Sequence, residues 1–440
     1  LADIVDDLKA KGRAPQRRGL AHGETGGAWV RALFDEAARL GMTLARIPRL
    51  TDLRSGVEDR LEVRPIAVED LLGRPQTPLD RDAMRAFVAG RRVLVTGAGG
   101  SIGGELVRQL LPFAPGRIVL VDNSEYALYQ IDMEAQRLAA AVPRQAVLLD
   151  VRDRDRVRAL FAAEKPEVVF HAAAFKHVPL VEANAAAGVA VNVGGTINVA
   201  DAARAADAAA MVLISTDKAV NPSSVMGASK RAAEMYCQAL DLENRGPTRF
   251  VTVRFGNVLG STGSVVPLFQ DQLARGGPLT VTHPEMTRYF MTVREAVELV
   301  IEAAATGGEA HEGKLFVLDM GPPVRIVDLA RQMIRLAGLK PDQDVKIAFT
   351  GVRPGEKLFE ELFHGAEPLA PSGLPGIFIA APRVAGTDLG DGLSRLLRAA
   401  ESGDDADARA ALRRLIPEYA PAPIADTLPD NRQLRNTPPP

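Results

Sequence analysis

Apolar runs of four to six residues recur through the middle of this chain. Each is followed by a longer stretch in which apolar residues return every three or four positions. The runs are RRVLVTG (91–97), RIVLVD (117–122), QAVLLD (145–150), EVVFHAAA (167–174), MVLISTD (211–217) and RFVTVRFGN (249–257). The helical stretches lie near 101–111, 124–140, 153–164, 184–208 and 226–243. Continuous apolar runs suit strands buried on both faces, so the alternation predicts an α/β protein with a parallel sheet covered on both sides.

The flanks break this rhythm. Residues 1–80 read as a helix (LADIVDDLKAKG), a second helix at 29–41 and a strand at 42–50, a partial α/β segment. It closes on LLGRPQTPLD (71–80), where Pro75 and Pro78 mark a linker. Past Val258 the pattern loosens into short mixed elements, as a smaller lobe requires. From Pro417, seven prolines in 24 residues predict an extended surface tail. The expected divisions are 1–80, 81–257, 258–416 (interleaved with the preceding unit) and 417–440.

Composition narrows the function. The 440 residues suffice for two or three domains, and a net charge of −2 without a basic run argues against nucleic acid or an anionic membrane surface as partner. Cys237 is the single cysteine, which rules out an internal disulfide and suits a cytoplasmic, reducing compartment. Six scattered histidines and no cysteine cluster give no basis for a metal site. No apolar run approaches the roughly 18 residues of a membrane span. The chain opens on Leu1 inside a helical pattern, so the expectation is a piece of a longer protein.

The first candidate chemistry lies in VLVTGAGGSIGGELVRQLL. Glycines at 97, 100 and 103 stand between a strand and a helix, and the second strand ends in Asp122 about 20 residues on. Glycine permits positive φ and lets backbone N–H groups approach a pyrophosphate. The loop Gly97, Gly99, Gly100, Ser101, Ile102 and Gly103 is therefore the candidate phosphate cradle of a Rossmann-like, doubly wound sheet. Asp122 can hold the ribose hydroxyls and repel a 2′-phosphate, which favours NAD. It can equally cap a helix, a role Asn123 and Ser124 also offer. Asp150 and Val151 follow the third strand, within reach of an adenine. Ala172, Ala173 and Ala174 follow the fourth and let backbone lie against a cofactor. Lys176 beyond them faces substrate or solvent, and His177 is expected in solvent.

Five motifs in order carry a resemblance: TGAGGSIG, HAAAFKHVPLVE, STDKAVNPSSVMGASKRAAE, VRFGNVLGSTGSVVPLF and VRPGEKLFEEL. Over residues 60 to 420 the chain resembles the extended short-chain dehydrogenase/reductase superfamily. Within it, the chain is similar to the UDP-N-acetylglucosamine 4,6-dehydratases of bacterial surface-polysaccharide synthesis. Many superfamily members place a Tyr four residues before the active-site Lys; here Met226 precedes Lys230. That departure is similar to the long, membrane-attached branch. The resemblance implies membrane attachment only through segments absent from this chain, a cytoplasmic face and retention at C5. It also implies a UDP-sugar substrate, with a homo-oligomer as a further expectation.

The implied reaction oxidises C4, eliminates water across C5 and C6, and returns the hydride to C6. Without the Tyr, the strand-five end must supply the acid and base. Lys218 is the expected C5 base, its pKa lowered by burial or by nearby positive charge such as Lys230. Asp217 is the expected acid for the C6 hydroxyl, collecting the C4 hydroxyl proton through Thr216. Lys230 would bind the nicotinamide ribose, and Met226 would fill apolar space. On the substrate side, Asn257 and Arg288 would meet the diphosphate, Val266 and Pro267 would open a helix over the sugar nucleotide, and Arg353 and Glu356 would hold the nucleotide. Taken alone, each of these charged residues reads as a solvated charge or a structural ion pair. A UDP-sugar epimerase and a non-catalytic NAD-binding scaffold are the competing functions.

Overall fold

The computed structural model describes residues 2–20, 27–46, 64–65, 77–243, 245–306, 313–365, 367, 369–381 and 388–421. Six strands fall on the six apolar runs: β1 (Arg92–Thr96), β2 (Arg117–Asp122), β3 (Arg144–Leu148), β4 (Val168–His171), β5 (Ala210–Thr216) and β6 (Arg249–Phe255). They pair in parallel in the order β6-β5-β4-β1-β2-β3, a Rossmann-like doubly wound arrangement.

The two-residue period of a strand divides its side chains between two cores. Val93, Val95, Ile118, Leu120, Val168 and Phe170 face one; Leu94, Val119, Val121, Val169, Met211 and Leu213 face the other. Each such burial stabilises by about 1.5–3 kcal/mol, so neither face tolerates a polar run. The covering helices include α1 (Ser101–Leu110), α2 (Glu125–Leu138) and α3 (Arg154–Glu164). Next come α4, in two helical pieces (Ala185–Val189 and Thr196–Ala205) joined by a π-turn at Ala190–Gly195, and α5 (Val225–Glu243). A short helix at Val178–Ala183, inside the predicted loop after β4, was not anticipated.

The sheet does not end at residue 257. The chain leaves for the smaller lobe through α6 (Val265–Ala274) and returns as β7 (Leu315–Leu318), parallel to β6. β8 (Leu369–Pro371) and β9 (Ile377–Ala380) then add antiparallel strands beside β7, giving nine strands among the described residues. The lobe keeps its own core, with Phe269, Leu279, Leu329 and Ile334 buried.

The N-terminal segment forms the two expected helices at Ala2–Ala10 and Gly27–Arg39. Its strand covers Thr43–Arg46 among the described residues, with 47–50 outside them, and pairs in parallel with an unpredicted one at Arg17–Leu20. Its small core includes Val5, Val30, Ala37 and Leu44, with Leu336 of the lobe packed against it. Much of the linker at 71–80, including Pro75, and the tail beyond residue 421 lie outside the described residues. Among the described residues no helix is long and apolar enough to cross a membrane.

Candidate active site

The predicted phosphate loop is a tight backbone cradle at the end of β1. Gly97 has φ +65°, and a Cβ there would fall 2.7 Å from the Ala173 nitrogen. A Cβ at Gly103 would fall 2.0 Å from the Gly97 carbonyl oxygen, so α1 presses directly on the turn. Gly100 stands at the N-cap of α1 and contributes no side chain to the first-turn amides. Those amides and the helix dipole suit a phosphate.

Asp122 is not the cap of α2; Ser124 is, its hydroxyl accepting from Ala127 N–H at 3.4 Å. The Asp122 carboxylate instead accepts from Gly99 N–H and from Ser124 N–H, each at 2.9 Å, and so joins the glycine loop to the second strand. Asp150 is paired with Arg152, whose guanidinium donates to both carboxylate oxygens and holds the carboxyl below its usual range. The Val151 side chain is buried in a core and packs under Gly195.

The second part of the site lies where β5 ends. Asp217 is fully buried, and its Oδ1 accepts from the Thr216 hydroxyl and from Lys218 Nζ, both at 2.9 Å. Lys218 Nζ also donates to Asn257 Oδ1 at 3.0 Å and stands 3.7 Å from Glu360 Oε1. Burial works to lower the Lys218 ammonium, but the Asp217 and Glu360 carboxylates outweigh it and hold the pKa above the ordinary lysine value. This corrects the expectation of a lysine pre-lowered to act as base: the resting Lys218 is a cation.

Burial instead pushes down Lys230, assigned the plainer role, to about 8, and it lowers Lys176 as well. Lys230 is buried on α5 with Met226, which packs among apolar side chains. His171 beneath them bridges the Thr96 and Thr196 hydroxyls at 2.7 and 3.0 Å, and burial pushes it down to about 3.

Five predicted substrate or catalytic residues, Lys176, Lys218, Asn257, Arg288 and Glu356, line one pocket of about 210 Å³. His177 lines it too, at an exposed rim, against Gly263 of the lobe. Three expectations are not met there. Arg353 is exposed, and only its backbone meets Glu356, its N–H donating to the carboxylate at 3.3 Å and its carbonyl accepting from Glu356 N–H at 3.1 Å. α6 does begin at the predicted place, but Val266 points into the lobe core and Pro267 is not on the pocket wall. Asp217, the expected acid, does not line the pocket: its Oδ2 points at the backbone of Gly256, 3.0 Å from where a Cβ would stand. A larger cavity of about 700 Å³ beside Arg325, Arg331 and Arg335 contains none of the predicted site residues. Among the described residues no cluster of His, Cys, Asp or Glu is arranged to hold a metal.

Sequence reasoning missed several supports. Asn192, on the π-turn of α4, clamps Phe175 through its backbone N–H and carbonyl and donates to the Ser229 hydroxyl at 2.9 Å. It thereby ties the loop carrying Lys176 to the helix carrying Lys230. The Ser101 hydroxyl, at the start of α1, accepts from Thr262 N–H at 3.1 Å, joining the phosphate cradle to the lobe.

Behind α5 lies a closed knot of charge. Arg254 on β6 donates to both oxygens of Glu234, at 2.7 and 2.6 Å, and to both of Glu367, at 2.6 and 3.4 Å. Glu234 also accepts from the Ser215 hydroxyl at 2.6 Å. The knot fixes α5 against β5 and so sets where Lys230 stands relative to Lys218. Glu360 was missed as well: it is buried on the pocket wall, and burial raises its carboxyl.

Comparison with known proteins adds the following. The family described as polysaccharide biosynthesis protein matches residues 93–382. The capsular polysaccharide biosynthesis protein CapD of Staphylococcus aureus is 48% identical over 328 residues, 74% of this chain and 54% of that protein. The UDP-N-acetylglucosamine 4,6-dehydratase (inverting) of Campylobacter jejuni is 34% identical over 273 residues, 61% of this chain and 76% of that protein. The X-ray structure of Pen from Bacillus thuringiensis superposes with a TM-score of 0.61 at 33% identity, covering 68% of this chain and 88% of that one. The chain spans a little over half the length of CapD, and 58% of the similar Bacillus subtilis protein EpsC.

Proposed function

The chain belongs to the polysaccharide biosynthesis protein family, and from that premise we propose that it is an NAD-dependent lyase acting on a UDP-hexose. The reaction is 4,6-dehydration of UDP-N-acetylglucosamine to the UDP-4-keto-6-deoxy sugar, with C5 retained. The observation that carries this is the Asp217–Lys218–Asn257 chain at the strand-five end. It opens, through Lys218 and Asn257, on a pocket that also presents Arg288 and Glu356.

The residues fit a dinucleotide. The cradle at Gly97 and Gly103 is one a Cβ would fill, and the Asp122 carboxylate stands beside it. Bound there, the nicotinamide supplies the hydride acceptor for C4 and the donor for C6. Thr216, hydrogen-bonded to Asp217, relays the C4 hydroxyl proton to that carboxylate. Lys218, as the amine left once its ammonium proton has passed to a neighbouring carboxylate, takes the proton from C5 and later returns one, and Asp217 replenishes it across their 2.9 Å contact. Lys230 supplies positive charge beside the ribose, and Met226 keeps its surroundings apolar. Arg288 offers a guanidinium to the diphosphate, and Glu356 an acceptor to the uridine ribose.

Incubating the chain with NAD and UDP-N-acetylglucosamine tests this. Mass spectrometry should show a product lighter by one water, with proton NMR reporting C5 retained. An unchanged mass with altered sugar stereochemistry would make it an epimerase, and cofactor binding without any product a scaffold. Asp217→Asn should cost about 10²-fold or more in turnover, the scale of a lost acid–base group. Near-normal turnover would remove Asp217 from the mechanism.

A further inference from the structure

We propose that Glu360 is the general acid of the elimination, protonating the departing C6 hydroxyl with a proton it receives from Lys218. The proposal rests on the dehydratase reading above and assigns it a residue from the C-terminal lobe.

Position is the first argument. Of the two carboxyl groups beside Lys218, Glu360 lines the pocket and Asp217 does not. An acid must reach the atom it protonates, directly or through one water. Asp217 is hidden beneath Lys218 and Gly256; Glu360 is on the wall that a ligand touches.

Satisfaction is the second. Glu360 Oε1 stands 3.7 Å from both Lys218 Nζ and Arg288 Nε, so two cations hold the carboxyl in place from one side. Its Oε2 is buried without a hydrogen-bond partner among the described residues. A buried carboxylate oxygen left unmatched costs free energy, and this one belongs to a residue on the pocket wall. Burial also raises the Glu360 carboxyl, which favours its protonated, proton-donating form.

The step balances with these two groups alone once C4 is a ketone. Lys218 passes a proton to Glu360 and becomes an amine. The amine takes the C5 proton, and the C5–H electron pair becomes the C5=C6 double bond. The C6–O bond breaks with its pair on oxygen, Glu360 protonates that oxygen, and water leaves. Lys218 is again an ammonium and Glu360 again a carboxylate. Asp217 is then free to store the C4 hydroxyl proton, so the two carboxyl groups serve different oxygens.

The test compares Glu360→Gln and Glu360→Asp with the unaltered chain, using NAD and UDP-N-acetylglucosamine. Glu360→Gln should lower kcat by about 10²-fold or more, with KM changed less than about threefold. The kinetic isotope effect from deuterium at C4 should shrink toward unity, because elimination has become limiting. Glu360→Asp should recover at least about tenfold of the loss. UDP binding by calorimetry, which needs no turnover, should match the unaltered chain in both variants. Three results would overturn the assignment: kcat within about threefold of the unaltered chain, a retained or enlarged C4 isotope effect, or weakened UDP binding. If Glu360→Gln does not fold by circular dichroism, Glu360→Asp decides through the same isotope effect. If the unaltered chain produces no loss of water, the dehydratase reading itself fails, a result distinguishable from failure of Glu360.

Discussion

Two groups of buried charge meet strand β5 two residues apart, and they are finished differently. Ser215 donates into the knot of Arg254, Glu234 and Glu367, where every carboxylate oxygen is hydrogen-bonded. Asp217 belongs to the group with Lys218, Arg288 and Glu360, where Asp217 Oδ2 and Glu360 Oε2 have no partner. Both groups bury charged side chains. Where all the lone pairs are matched, charge fixes geometry; where some are left over beside an opening, charge is available to a ligand. Between these two groups burial alone does not separate structure from chemistry, whereas an unmatched oxygen beside a pocket does.

Removing one carboxylate charge from each group puts the contrast at risk. Glu234→Gln removes one of the two carboxylates that balance Arg254 in the interior and should cost about 3–5 kcal/mol of stability, read from denaturant midpoints. Glu360→Gln loses two 3.7 Å contacts and relieves an unmatched oxygen, so stability should move by less than about 1 kcal/mol. Equal losses would dissolve the distinction between the two groups.

A smaller effect sharpens it. Lys230 titrates at about 8 in the folded chain, against 10.5 for a free lysine, because burial penalises its charge. Between those values the unfolded chain binds more protons, so folding stability gains from this group as pH rises. On the proposed function catalysis should run the opposite way, because the cation proposed to stand beside the ribose is lost as pH passes about 8. Turnover should therefore show an alkaline limb near that value. Lys230→Arg, which stays charged, should move the limb upward; a limb unchanged in that variant would assign it to another group.

The parallel strands were readable because both faces of each are buried, which leaves continuous apolar runs, and because glycine punctuates where β1 meets α1. β7 to β9 were not readable: their place at the sheet edge depends on pairing with β6 across the whole lobe, a contact no local pattern encodes. Lys218 and Asp217 were identifiable from their place at a strand end, but the ionisation of Lys218 was not, since Glu360 arrives from 142 residues later. Glu360 was hidden by inverted burial. In FEE (359–361) apolarity puts Phe359 inside and Glu360 outside, yet Phe359 is 56% exposed and Glu360 8%. Only the shape of the pocket explains that reversal.

The π-turn in α4 has a consequence for how the loop and helix stay in phase. Each residue of an α-helix advances the winding by about 100°, and a π-turn accommodates one residue more than the α-helical count. Deleting a single residue between 190 and 195 would let the winding relax to an uninterrupted helix. Asn192 or its replacement would then rotate out of register with Phe175 and Ser229. A defect in regularity is in this sense the timing mark that keeps the loop of Lys176 and the helix of Lys230 facing one another.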